Sequence, residues 1–321
     1  MVSKGFARCA RTVVVGVPSL LVLVSASSAS AARLPATLAP ALAPAVVSAR
    51  PATAGALSLD DDSLVGKSGK LRARILGPKR TGSIPVLERL FGDSAAHHPG
   101  VYATADSASG RRFSFITLVP FEARQRGRLG SYRIGVWPGE RSRNFADKAP
   151  EGFIEVTADN QDTQLSDNFR LRDFLTHDQQ AVWPKYLVVR EPLVDKLELV
   201  IDDLRARGVS VTRMIVMSGF RTPQYNVKGV GRGGRAKDSR HQYGDAADVF
   251  VDSDGNGRMD DLNGDGRVNT RDASFLLESV DRVERRHPEL IGGAGLYRAT
   301  SAHGPFVHVD VRGSRARWGR A

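Results

Sequence analysis

The spacing of apolar residues changes period several times along the chain, and each change marks an element. Leu193, Leu197, Val200, Ile201 and Leu204 recur at helical spacing, and Gly208 stands where a helix stops. The predicted helix feeds an apolar, β-branched run at 209–217, which reads as a buried strand ending at Ser218-Gly219-Phe220-Arg221-Thr222-Pro223. Further buried strands are predicted at 247–251 and 306–311. In the latter, Val307-His308-Val309-Asp310-Val311 alternates, so His308 and Asp310 point to one face. Ala273, Leu276, Leu277, Val280 and Val283 form the stripe of a second amphipathic helix. Upstream, the runs 112–119, 131–137 and 152–157 are short, β-favouring and separated by Gly and Pro. The pattern predicts an α+β chain, with a small β-rich accessory domain over 68–160 followed by a mixed domain over 161–321.

The amino-terminal residues carry a different texture. Lys4, Arg8 and Arg11 precede an apolar run at 13–24 and the small-x-small stretch Ala29-Ser30-Ala31, so 1–31 reads as a secretory signal peptide. Pro18 interrupts the run, which is shorter than the roughly 20 apolar residues of a membrane span, so no stable span is expected after cleavage. Residues 32–67, rich in Ala, Pro, Ser and Val, carry no core-building period and read as a flexible linker. The expected location is periplasmic or extracellular, associated with the cell wall.

Composition narrows the chemistry. The only cysteine, Cys9, lies in the leader, which excludes disulfides, thiol catalysis and cysteine-ligated zinc from the remainder. Any metal there must use His, Asp or Glu. The 321-residue chain carries a net charge of +11, three of those charges being in the leader. A basic exported protein is drawn to polyanions, and the anionic cell envelope is the expected one. Nucleic acid is not, because no compact Lys/Arg run with interleaved aromatics occurs.

His241 and Asp248 stand seven residues apart around Gly244, and a turn there brings both side chains to one ion. With His308 from the later strand they make three ligands, which leaves a fourth position for water, the pattern of a catalytic rather than a structural zinc. Arg221, delivered to a strand end, is a planar bidentate donor suited to a carboxylate or a developing oxyanion; a structural ion pair is the competing role.

The motifs Ser218-Gly219-Phe220-Arg221, S-x-H-x-x-G-x-A-x-D from Ser239 to Asp248, Gly292-Gly293-x-Gly295-x-Tyr297 and Phe306-Val307-His308-Val309-Asp310 occur in one order. They resemble the D-Ala-D-Ala carboxypeptidase and murein endopeptidase family, which shares its zinc fold with lysostaphin-type peptidases and the hedgehog signalling domain. The resemblance covers roughly 164–318. It implies a hedgehog/DD-peptidase-like domain, a central antiparallel sheet with flanking helices, with His241, Asp248 and His308 as zinc ligands. It further implies that Arg221 meets the substrate carboxylate or oxyanion, and that a zinc-activated water cleaves the D-amino-acid-containing stem peptides of peptidoglycan. Many members carry an acid or His two or three residues before the last ligand, where this chain has Phe306 and Pro305. Asp310 is therefore the first candidate for general base, with a role in orienting a ligand histidine as the alternative, and His303 is a weaker candidate.

An acidic insertion, 252–272, separates the second and third ligands. Asp261, Asn263, Asp265, Arg267 through its carbonyl, Asn269 and Asp272 fit a twelve-residue calcium loop with Gly266 at position 6 and Val268 at position 8. It resembles the dockerin type. A less regular loop precedes it, with Asp252, Asp254, Asn256 and Asp260 as ligands. Both imply structural Ca2+ beside the Zn2+. The readings that compete with a peptidase are a non-catalytic zinc- and calcium-dependent cell-wall binding module and a calcium-dependent adhesion protein.

Overall fold

The computed structural model describes residues 47–48, 62–78, 85–92, 95, 97–106, 109–145, 148–231 and 234–319. The leader lies outside them, as does most of the expected linker. Everything described falls within one unit, Ala43–Ala321. Among the described residues no helix is long and apolar enough to cross a membrane.

In chain order the strands are β1 (Val47–Ser48), β2 (Ala73–Leu76), β3 (Gly100–Ala105), β4 (Arg112–Thr117), β5 (Val119–Pro120), β6 (Arg128–Leu129), β7 (Tyr132–Arg133), β8 (Gly152–Val156), β9 (Lys185–Leu187), β10 (Met214–Ser218), β11 (Ala246–Val251), β12 (Gly293–Tyr297), β13 (Phe306–Asp310) and β14 (Ala316–Trp318). The α-helices are α1 (Asp62–Val65), α2 (Pro85–Phe91), α3 (Glu191–Ala206), α4 (Pro223–Asn226) and α5 (Thr270–Arg286). The architecture is α+β. Its largest sheet runs β10-β11-β13-β12-β14, antiparallel except for the parallel β12/β14 edge.

α3 forms where the helical stripe predicts it. Pro192 sits at its first turn, and Gly208, at φ +86°, lies just beyond its end. Leu193, Leu197, Val200, Ile201 and Leu204 are wholly buried, a contribution of roughly 1.5–3 kcal/mol each relative to exposure. α5 opens on a reciprocal cap between Asn269 and Asp272, and packs against α3, β12 and β13. Between the helices Lys196 Nζ, fully buried, donates to Glu284 Oε1 at 2.7 Å and to the Asp310 carbonyl at 2.8 Å, which ties both helices to β13. The run predicted as a strand over 209–217 pairs only from Met214, because its first residues leave the sheet to follow the turn out of α3.

The expected boundary at 160 coincides with no break in the core. A single apolar cluster runs from Leu71 through Trp137, Phe153 and Leu197 to Val309. β8 pairs with β9 across that boundary, Arg72 N donates to the Leu165 carbonyl at 2.8 Å, and Gln224 N donates to the Ile134 carbonyl at 3.0 Å. The four-stranded sheet β1-β3-β4-β2 keeps a smaller core of its own around Leu76, Leu87, Tyr102, Phe113 and Phe115. The end of the expected linker is also built in: Val65 is buried, and the Asp195 carboxylate accepts from the backbone N–H groups of Lys67 and Ser68 at 2.8 and 2.9 Å.

Candidate metal centre

A row of residues crosses the large sheet in register. Ser218 of β10 stands opposite Asp248 of β11, Asp248 opposite His308 of β13, His308 opposite Gly295 of β12, and Gly295 opposite Trp318 of β14. Directly opposed residues project to the same side of a sheet, so Asp248 and His308 meet although sixty residues separate them. His241 joins from the helical turn Arg240–Tyr243, which Gly244 ends in the left-handed conformation at φ +68°. A Cβ at Gly244 would stand 2.5 Å from the Val188 backbone, so the turn needs glycine for space as well as for conformation. Trp137 supports the turn from the β-rich segment, its indole Nε1 donating to the Gln242 carbonyl at 2.9 Å.

The three side chains converge. Asp248 Oδ1 lies 3.2 Å from His241 Nε2 and 3.0 Å from His308 Nδ1, and the two ring nitrogens are 3.1 Å apart. All three residues are buried. Each imidazole is oriented by a partner on its other nitrogen. His241 Nδ1 lies 2.8 Å from the Gly219 carbonyl, and His308 Nε2 lies 3.1 Å from Asp310 Oδ2. Both partners can only accept, so those nitrogens carry the proton, and in the neutral rings the lone pairs of His241 Nε2 and His308 Nδ1 face Asp248 Oδ1. With both rings neutral, the three donor atoms form a group that could hold a small cation. Ligands about 2.0–2.1 Å from a tetrahedral ion lie a little over 3 Å apart.

Electrostatics follow from the same contacts. Burial pushes the His241 pKa down, the direction that keeps a ligand imidazole neutral. Burial also acts downward on His308, but its hydrogen bonds to Asp248 and Asp310 outweigh that and raise it. A proton on His308 Nδ1 would occupy the lone pair that a metal ion would need. Burial by itself would raise the Asp248 carboxyl, yet the two imidazoles hold it well below the ordinary carboxylate range.

Arg221 and Asp310 take places that sequence spacing left open. Arg221 Nη2 is ion-paired to Asp248 Oδ2 and its Nε donates to Ser218 Oγ at 2.8 Å, so one oxygen of Asp248 is held while the other faces the imidazoles. Arg221 also lines the cleft of about 610 Å³ into which the triad opens. Asp310 shares a face with His308, as the two-residue period predicts, but it is fully buried behind the ring and does not line the cleft. Its oxygens are occupied by His308 Nε2, by the Arg312 guanidinium and by Gly293 N at 2.6 Å. That is the position of a residue that orients an imidazole rather than one that takes a proton from the cleft.

Sequence reasoning missed Trp318, whose ring centroid lies 5.1 Å from that of His308, and the Tyr297–Phe306 stack at 4.6 Å. Trp318 lies over Gly295, where a Cβ would stand 2.1 Å from the indole nitrogen. The signal that could have found it is a glycine inside an apolar strand, which marks close approach by another group. His303 lines the same cleft, with its ring edge-on to Phe306.

In the acidic insertion the structure brings Asp252, Asp254 and Asp260 together, one carboxylate oxygen of each lying within 4.8 Å of the others. Asp261, Asp265 and Asp272 form no such group. The Asp272 carboxylate turns to the N–H groups of Leu262 and Asn269, at 2.9 and 2.7 Å, and caps α5. Among protein families, curated proteins and solved structures, none matches the chain.

Proposed function

We propose that this chain is an exported zinc peptidase of the hedgehog/DD-peptidase fold that hydrolyses D-amino-acid-containing peptide bonds of peptidoglycan stem peptides at the cell wall. The observation that carries the reading is the buried meeting of His241 Nε2, Asp248 Oδ1 and His308 Nδ1 within 3.2 Å at the floor of a cleft. The donor set of two imidazoles and one carboxylate is the one that catalytic zinc takes with a corner left for solvent. A bound zinc supplies Lewis acidity and an acidified water.

The chain's own residues do the rest. Gly219 and Asp310 fix the two rings, and Arg221 holds Asp248 while presenting positive charge to the cleft, where an anionic substrate group or oxyanion would meet it. With Asp310 occluded, His303 is the cleft residue assigned to proton transfer. The loop beginning at Asp261 is assigned a structural calcium ion in this reading, on the spacing of its oxygen donors and on the turn in which Gly266 N donates to Asp261 Oδ2 at 2.6 Å.

Purified protein incubated with sacculi should release muropeptides, and His308→Ala should release none and bring down less than a tenth of the zinc found with the wild type, measured by elemental analysis. The occlusion of Asp310 favours a second reading, a zinc-dependent wall-binding module without turnover. That reading predicts stoichiometric zinc and retention on sacculi with no product from either protein.

A further inference from the structure

Arg221, Arg235, Arg240 and Arg312 all line the cleft into which the triad opens. Three of them are already committed. Arg221 is ion-paired to Asp248, Arg240 to Asp245 and Arg312 to Asp310, and all three carboxylates are buried. Opposite charges in contact largely cancel at the distance of a ligand, so these pairs add little net charge to the cleft. Arg235 differs: among the described residues no carboxylate is within ion-pair distance of it. Asp238, the other acid that lines the cleft beside Asp248, instead accepts from the Tyr243 hydroxyl at 2.6 Å.

The chain is shaped around the Arg235 side chain. Its N–H donates to the Gly229 carbonyl at 2.7 Å, and a Cβ at Gly229 would stand 2.8 Å from Arg235 Cδ and Nε. A Cβ at Gly234 would in turn stand 2.4 Å from the Gly229 carbonyl oxygen, so both glycines make room for the stem. The guanidinium carbon lies over the Tyr225 ring, 4.2 Å from its centroid, and Nη1 donates to the Tyr225 carbonyl at 2.8 Å. An aromatic face and a carbonyl oxygen hold a cation in place without neutralising it. Arg235 is thus a half-buried, positioned and uncompensated positive charge on the cleft wall.

We propose that Arg235 selects the substrate by binding a free carboxylate of the peptide, while Arg221 holds Asp248 and is left to meet the oxyanion. The inference rests on the peptidase reading. A guanidinium stays charged at all physiological pH values, and its planar fork matches the two oxygens of a carboxylate. Two carboxylates of a stem peptide offer that chemistry, the C-terminus and a side chain. Recognition of the first describes a carboxypeptidase, and recognition of the second admits an endopeptidase.

Peptide binding to the zinc-loaded full chain tests it with three probes: an N-acetylated stem pentapeptide with all its carboxylates free, its C-terminal amide and its side-chain amide. Affinity is read as Kd by titration calorimetry, or as KM for a probe that is cleaved. The wild type should prefer the free acid over one of the amides by about tenfold or more, the worth of a charge-assisted hydrogen bond, and the amide that binds weakly identifies the carboxylate. Arg235→Gln should cut that preference to under about threefold, and Arg235→Lys, which keeps the charge, should retain part of it. Circular dichroism and zinc content check that both variants fold. An undiminished preference in Arg235→Gln overturns the inference, as does a wild type that binds no probe or does not discriminate. Equal weakening of all three probes overturns it too, because a merely structural role gives that result. Product analysis keeps the two readings apart. An Arg235-dependent preference without cleavage sinks the peptidase reading alone, and cleavage without that preference sinks this inference alone.

Discussion

In the proposed reading Asp310 acts through His308. The carboxylate fixes the ring by accepting from Nε2, and Arg312 and Gly293 N keep the carboxylate in place. Partners of this kind are worth about 10–100-fold in metal affinity. Asp310→Asn should therefore weaken zinc binding by that factor in competition with a chromophoric chelator, while the far-ultraviolet circular dichroism stays unchanged. A residue acting as the base would instead lose turnover with zinc affinity intact. Gly244 is the other position where one residue decides the geometry. Gly244→Ala meets both the left-handed backbone and the Val188 carbonyl carbon at 2.5 Å, and should cost about 1–3 kcal/mol in urea unfolding, with zinc affinity falling as His241 shifts. At this scale the sequence was informative about which candidates meet: the convergence of His241, Asp248 and His308 is legible from spacing and from a strand period. The contacts of Arg221 and Asp310 were not, because two residues on one face can lie in series or side by side, and spacing does not separate the cases.

Helices α3 and α5 hold the sheet from behind through charges that the apolar stripes do not reveal. Asp203 on α3 receives Arg282 and Arg286 from α5, and Asp281 on α5 receives Arg315 and Arg317 from the segment around β14. Burial by itself would raise the Asp281 carboxyl, but Arg317 and Arg315 hold it below its ordinary value. A carboxyl whose folded pKa is depressed contributes stability that is fully present above its unfolded pKa, about 3.9, and is lost as the pH falls through the lower folded value. Asp281→Asn should thus lower the melting temperature at neutral pH and flatten its decline below about pH 4, as read by calorimetry across pH. Both helices were legible from periodicity, and so were the strands β11 and β13. The 131–137 run was not: it contributes only the two residues of β7, because Gly135 at φ +90° turns the chain against Gln224.

For the molecule as a whole, the β-rich segment and the triad-bearing segment share one core, so neither buries its apolar surface alone. Residues 161–321 expressed by themselves would lose Phe153, Ile154, Trp137 and the partner strand of β9, and should give the circular dichroism and proton spectrum of a largely unfolded chain. A cooperatively folded fragment would show instead that the boundary near 160 is real. The sequence by itself determined the α+β class, the elements around the three candidate ligands and the donor types on offer, because periodicity and side-chain chemistry are local properties of the chain. Tertiary structure alone decided that Trp137 buttresses the His241 turn, that Trp318 roofs Gly295 beside His308, and that the less regular of the two acidic loops is the one whose carboxylates converge. Those outcomes depend on strand register and on which groups lose water, and both are set only when distant segments pack.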